Sequence, residues 1–393
     1  MLNANHGDQL ITIKMSRTKI FRLILTQLYK EENLTVKELS LVLGVDVSVI
    51  VPILNILEQR GFIKALNKEG NIETHLISLQ EMENYIIGLD LGGTKLYGAI
   101  CDLTGNIVHE KVVFHNGIAG EDCFDLLVSF IRDLKEMANI EGKKIFGIGV
   151  DVTGRVQIDT GYVVDAPAVK MNNFPLRDRL ITEFNCLVCV DNDLKQASLG
   201  EAWFGLGKEY SNVVLLAIGT GIAASMVIDG NVLRGAHSRL GELGWMIPGP
   251  SFLGREYYGF GALETESSGP GILNRAKKIL RETQSEVSVD ELTSESVFDA
   301  AQLGQEWAER CIDETSEYLA ILIANIMAFY DPDIIILSGG VSKSSEMLLP
   351  KIQKLIEGCV LTKPHIQTSI LLYKANILGA IMNFIQRCPE FLK

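Results

Sequence analysis

Tyr85-Ile86-Ile87-Gly88-Leu89-Asp90-Leu91-Gly92-Gly93-Thr94-Lys95-Leu96-Tyr97-Gly98-Ala99-Ile100 decides the fold: an apolar strand, a carboxylate at its end, a two-glycine turn bearing Thr94 and Lys95, then a second strand. Such a turn sets backbone N–H groups, a hydroxyl and an ammonium within reach of one anion. The plan returns further along as Val213-Val214-Leu215-Leu216-Ala217-Ile218-Gly219-Thr220-Gly221-Ile222-Ala223-Ala224-Ser225-Met226-Val227-Ile228. Both copies run on into an Asp/Gly/Asn turn, Asp102 to Asn106 and Asp229 to Asn231. Two glycine hairpins facing each other across a cleft are therefore expected.

A chain of 393 residues is too long for one core and predicts two or three units of ordinary domain size. The formal net charge of −13 argues against a general polyanion-binding surface, so any nucleic-acid contact must come from a local basic patch. Seven scattered cysteines and no charged-then-apolar leader read as the reduced thiols of a cytoplasmic protein. Cys186 and Cys189 have C-x-x-C spacing, but with no second Cys or His pair nearby they read as ordinary strand residues. The uncharged run Ser211 to Ile228 is interrupted by Gly, Thr and Ser and reads as strand–turn–strand, so no membrane segment is expected.

Residues 1–80 read as a winged helix-turn-helix after a loose lead-in over 1–15. Ile20, Phe21, Ile24, Leu25 and Leu28 share one face of a first helix, and Thr35 with Glu38 forms a capping box for a second that stops at Gly44. Asp46 or Ser48 caps a third helix to Arg60, and residues 62–66, a turn over 67–71 and residues 72–79 make the wing. A helix that enters a DNA groove usually carries polar or basic residues at its start, whereas this one reads Val47-Ser48-Val49-Ile50-Val51-Pro52. Base contacts fall to Ser48, Asn55 and Gln59, and phosphate contacts to Arg17, Lys19, Arg22, Lys37, Lys64 and Lys68. A small helical cap on an enzyme is the bland alternative. After a linker over 81–84 an α/β pattern begins, divided as a first lobe over 85–200 and a second over 201–393. It includes a buried helix from Trp307 to Tyr330 that leads into a strand and the turn Ser338-Gly339-Gly340.

These residues in this order resemble the ROK family of repressors and sugar kinases. Asp90 to Lys95 looks like its first phosphate motif, Gly219-Thr220-Gly221-Ile222 its second, and Ser338 to Ser342 its adenosine motif, with Gly379-Ala380 near the end. Asn192-Asp193 before Leu199-Gly200-Glu201 is similar to the segment with the catalytic aspartate. Gly241 to Gly244 and Leu263-Glu264 resemble the two halves of the sugar and zinc region. The resemblance implies an α/β, two-lobed, actin-like (ribonuclease-H-like) ATPase fold behind an N-terminal winged helix-turn-helix domain. It further implies nucleotide phosphates at Asp90, Gly92, Gly93, Thr94, Lys95, Gly219, Thr220, Gly221, Gly339 and Gly340. A sugar falls at Asn172, Asn192, Asp193, Glu242 and Glu264, with Asp193 as the catalytic base. Each has a structural alternative: Asp193 as a helix cap, Asp90 as a turn residue, Lys95 as a solvated strand lysine, and Glu242 or Glu264 as loop acceptors.

The departures bear on activity. Trp245 stands where many relatives have His, and Pro248 through Ala262 hold no Cys, so the usual three-thiolate, one-imidazole zinc set is absent. Ala168 and Met171 replace the family's Asn and Trp, with Asn172 or Asn173 as possible substitutes, and Ala223 replaces a glycine beside the second turn. The leading expectation is a cytoplasmic, sugar-responsive regulator and repressor, a homodimer or higher oligomer that binds operator DNA and a carbohydrate. The alternative is an ATP-dependent sugar kinase acting on a hexose or N-acetylhexosamine, which alone would need ATP and Mg²⁺. A degenerate member working through protein contacts is a third. From the missing ligands, chelator-free preparations are expected to hold well under one zinc per chain by elemental analysis; stoichiometric zinc would contradict this.

Overall fold

In the computed structural model, described here over residues 17–80, 84–137, 144–284 and 287–387, the amino-terminal elements are built around two aromatic rings. Helix α1 (Arg17–Lys30), strand β1 (Asn33–Thr35), helices α2 (Val36–Leu43) and α3 (Val47–Gln59), and strands β2 (Ile63–Asn67) and β3 (Leu76–Leu79) follow in order. Phe21 and Phe62 meet edge to face at 6.0 Å, among Ile24, Leu25, Leu28, Leu39, Ile50, Ile53 and Leu57, all buried. The capping box forms as expected, the Thr35 hydroxyl accepting from Glu38 N (3.2 Å) while Glu38 Oε2 accepts from Thr35 N (2.8 Å). Gly44 ends α2 in the left-handed region at φ +61°. Two details differ from expectation. The short β1, which periodicity cannot show, joins the wing in a sheet of order β1-β3-β2, and the second wing strand is shortened because residues 72–74 coil into a 3₁₀ turn under the Asn71 cap. The expected lead-in over 1–15 and most of the 81–84 linker lie outside the described residues.

The second unit opens with β4 (Asn84–Leu91), β5 (Lys95–Asp102), β6 (Ile107–Phe114), α4 (Gly120–Met137) and β7 (Lys144–Val152). A small meander of β8 (Arg155–Gln157), β9 (Tyr162–Ala166) and β10 (Met171–Phe174) follows, then α5 (Leu176–Phe184), β11 (Leu187–Asn192) and α6 (Asp193–Phe204). Next come β12 (Asn212–Ile218), β13 (Ile222–Ile228), β14 (Asn231–Val232), α7 (Glu264–Ser267), α8 (Gly269–Glu282), α9 (Ser294–Gln302), α10 (Glu306–Tyr330), β15 (Ile334–Ser338), α11 (Ser345–Ile356), β16 (Ile366–Thr368) and α12 (Lys374–Arg387). The main sheets have orders β11-β7-β4-β5-β6 and β14-β13-β12-β15-β16, so an antiparallel three-strand meander followed by two further strands occurs twice with one topology. The repeat seen in the sequence is thus a repeat of architecture. Among the described residues no single helix is long and apolar enough to cross a membrane. The apolar half of α10 instead buries Leu319, Leu322, Ile323, Ile326 and Met327.

The carboxy-terminal helix departs from the expected lobe division. By sequence position α12 belongs with the second lobe, yet it packs on the first sheet: a Cβ at Gly88 would lie 2.8 Å from the Ile377 side chain and one at Gly149 would lie 2.7 Å from Ala380. Its other flank touches α6 so closely that a Cβ at Gly379 would stand 1.8 Å from the Gln196 carbonyl oxygen. The chain divides into residues 1–84 with 385–393 and residues 85–384. Because backbone rather than a flexible side chain opposes Gly379, Gly379→Ala is expected to destabilise the fold by about 1–3 kcal/mol. Gly249→Ala, which faces open space, should be close to neutral. Urea unfolding of both variants checks this, and equal midpoints would contradict it.

Candidate functional site

The two hairpins face a cleft of about 1380 Å³ between the sheets of the second unit. It brings together Lys95, Asn192, Asp193, Gly219, Thr220, Gly221, Glu242, Glu264, Gly339 and Gly340 of the expected set. Asp90, Gly92, Gly93 and Thr94 are not on its open wall. The first turn closes on itself through Gly92 N to Lys95 O (3.1 Å), and the buried His115 props it, with Nε2 2.9 Å from Gly92 O and its backbone N–H on Thr94 O (2.9 Å). In the second turn the Gly219 N–H bonds to Gly221 O (2.9 Å) and the Ile222 N–H to Glu264 Oε1 (2.9 Å). Of the two turns, the second thus brings Thr220 and Gly221 to the cleft wall, and the first brings Lys95.

Three carboxyl groups meet at the inner end of the cleft. Asp193, the first residue of α6, accepts from Leu194 N (2.8 Å) and from the Asn192 amide (2.8 Å). Burial pushes its pKa up to about 6, although the hydrogen bonds it accepts act in the opposite direction. The N-cap of α6 is Asn192, whose Oδ1 accepts from Lys195 N (3.2 Å), which leaves Asp193 free of the capping role. Behind it lies a residue that sequence reasoning missed. Asp151, with no exposed surface, takes the Asn376 amide on Oδ2 (3.1 Å), and the Asp90 carboxyl group is its neighbour. Burial and the neighbouring negative charges hold Asp151 well above the carboxylate range, and burial raises Asp90 as well. Burial and like charge therefore disfavour ionising both members of the pair. The one signal in the sequence was an acidic residue inside the apolar strand Gly147 to Val152.

The sugar side differs from the set implied by resemblance. Both amide protons of Asn192 are spent, on Gly154 O (3.0 Å) and Asp193 Oδ1. Glu264 accepts backbone N–H groups on both oxygens, from Ile222 and from Gly261 (2.8 Å), so it ties the second turn to the loop over 241–261. Asn172 is exposed and absent from the cleft wall; with its amide oriented to suit its neighbours it donates to Asp165 Oδ1 (2.8 Å). Glu242 does line the cleft, beside the half-exposed Trp245. Two cations enter unannounced: Lys195, which donates to Leu240 O (2.7 Å), and Arg234, held fork to fork by the buried Asp191. Burial, and then Arg234, bring Lys195 down to about 8. Among the described residues no group of three or more His, Cys, Asp or Glu side chains is placed to hold a metal ion.

In the amino-terminal unit, Lys37 is exposed at the start of α2, Lys64 lies on β2, and Asn55 is exposed on α3. The Ser48 hydroxyl donates to the capping Asp46 (2.6 Å), and Lys68 is ion-paired with Glu58 (2.7 Å). The side chains of Arg17 and Arg22 lie outside the described part.

The ROK family model matches residues 86–383, and the MarR family model matches residues 22–71. The chain belongs to the ROK family. Among relatives, a glucokinase of Halalkalibacterium halodurans is 31% identical over 293 residues, 72% of this chain and 88% of that protein. A xylose repressor of Caldicellulosiruptor bescii is 28% identical over 345 residues, 85% of each chain. Among solved structures, a ROK family transcriptional regulator described as a homolog of the E. coli MLC protein superposes with a TM-score of 0.81 at 23% identity, covering 95% of this chain and 98% of that one, a likeness of fold. The two-lobed actin-like fold with a winged helix ahead of it is thereby established for this ROK chain.

The pH dependence of the cleft follows from Asp193. Its folded-state pKa lies above its unfolded value of 3.8, so its contribution to stability is complete below that value and is lost as the pH rises through about 6. Asp193→Asn should therefore gain on the native chain as pH rises from about 5 to 7.5, by an amount on the order of 1.4 kcal/mol. Denaturant midpoints at the two pH values read this, and a difference that does not change with pH would contradict it.

Proposed function

We propose that this ROK chain is a sugar-responsive transcriptional repressor that binds a carbohydrate in the cleft between its lobes and operator DNA through its winged helix. One observation carries the reading. The match to the xylose repressor takes in 85% of the chain, a share that residues 85–393 alone cannot supply, so the likeness extends into the amino-terminal unit. The MarR family match over residues 22–71 supports the same assignment. In this reading Lys37 and Lys64 contact phosphates while Asn55 faces base edges, and Lys68, paired with Glu58, keeps that partner. Ligand closes the lobes on Glu242, Asp193 and Lys195, and in a cytoplasmic homodimer that closure alters the spacing of two winged helices.

The second reading, an ATP-dependent sugar kinase, is favoured by the 31% identity to a glucokinase and by the geometry of Asp193, whose carboxylate is positioned as a general base. In that case the two glycine turns would hold the phosphates, and Mg²⁺ would neutralise them beside Asp90. The burial that raises the pKa of both Asp90 and Asp151, and the internal commitments of Asn192 and Glu264, weigh against efficient transfer. Gel-shift assays on DNA flanking the gene, run beside an ATP-consumption screen over hexoses, hexosamines and pentoses, separate the two. The repressor reading expects a retarded complex that one of these sugars releases, with no sugar-dependent ATP use. Sugar-dependent turnover without any DNA shift would overturn it.

A further inference from the structure

The most exposed stripe of α3 carries no charge, and the one acid within the helix, Glu58, is ion-paired with Lys68. Ile50, Ile53, Leu54 and Leu57 are buried against the rest of the unit, which leaves Ser48, Val49, Pro52, Asn55 and Gln59 exposed at helical spacing on one stripe. The acids that border the stripe are engaged: Asp46 accepts the Ser48 N–H (2.8 Å) and hydroxyl, and Glu58 holds Lys68. The stripe therefore offers hydrocarbon from Val49 and Pro52 and two carboxamides from Asn55 and Gln59. Val49, 43% exposed, is a β-branched side chain in water at a position where burial gains it nothing.

Base-pair edges in the major groove differ in what they ask of a protein. Guanine presents two acceptors, best met by Arg or Lys; cytosine presents an amino donor, met by Asp or Glu; adenine presents a donor and an acceptor that suit a carboxamide; thymine presents a methyl group, the one apolar feature. The stripe holds neither of the first two partners and both of the last two. We propose that α3 reads A·T base pairs, with Val49 and Pro52 packing on thymine methyl groups and Asn55 pairing with adenine. The inference rests on the repressor reading, and it names what that reading leaves open, the chemistry of the operator at the recognition helix. It also gives the apolar start of the helix a role in recognition, since Pro52 lacks the N–H that would close on Ser48, and its ring adds carbon surface at the point where the groove floor is nearest.

The test uses the full chain and a pool of random-sequence DNA duplexes. Bound duplexes are enriched, sequenced, and resynthesised with deoxyuridine for thymidine, which deletes methyl groups and keeps base pairing. The expected result is half-sites of A·T pairs beneath α3, with affinity falling about fourfold for each contacted methyl removed. Val49→Ala should bind the thymidine duplex more weakly and lose part of the penalty for deoxyuridine, while Asn55→Ala should relax the preference for adenine at one position. Alanine favours helix over valine, so weaker binding by Val49→Ala would not arise from an unwound α3, and an unchanged thermal midpoint verifies this. Enriched half-sites with G·C pairs beneath α3, or affinities indifferent to deoxyuridine, would overturn the inference while leaving DNA binding intact. A pool that shows no enrichment would overturn both.

Discussion

Asp151 has no exposed surface and neighbours the Asp90 and Asp193 carboxyl groups, so burial and like charge work against ionising all three at the inner end of the cleft. Hydrogen bonds to this cluster tie several elements of the second unit together. Asn376, at the start of α12, donates to Asp151 Oδ2 and to the Asp193 carbonyl, which fastens the last helix of the chain to β7 and α6. Asn192 and the Leu194 amide fix Asp193 from the other side. α12 can reach this point only because Gly88, Gly149 and Gly379 let it lie against the first sheet and α6 without intervening side chains.

The loop that in relatives with thiolates would be pinned by zinc is held here in another way. Glu264 accepts the Ile222 and Gly261 amides, joining the second glycine turn to the loop before α7, and Gly261 sits against the Gly244 backbone. A charged acceptor with two backbone donors is among the stronger neutral-pH contacts available to a protein. Glu264 thus ties the second glycine turn to the end of the loop that bears Glu242 and Trp245.

The glycine turns were legible in the sequence because their residue types have few alternative uses, and the doubled hairpin pointed to the doubled architecture. The capping box at Thr35 and the left-handed Gly44 were legible for the same reason. What escaped was set by long-range contacts. The local pattern marks Asp151 only as an acid within an apolar strand, and it is the return of α12 to the first sheet that gives it Asn376 as partner. Glu264 and Asn192 lie where the family resemblance puts sugar ligands, yet which of their atoms remain free depends on backbone groups far away in sequence, the Ile222 amide and the Gly154 carbonyl. In the amino-terminal unit the helices followed from periodicity, while β1 is a strand only by virtue of its pairing with β3.

If closure of the lobes on a sugar is what changes the hold on DNA, the two ligands must influence each other by the same factor in both directions. The most direct measurement is calorimetric titration of the releasing sugar into the full chain, alone and saturated with its flanking DNA, compared with the DNA affinity with and without that sugar. The sugar should bind the DNA complex more weakly, by the same ratio with which it weakens DNA binding. Equal sugar affinities in the two titrations, with both ligands bound, would contradict closure as the switch.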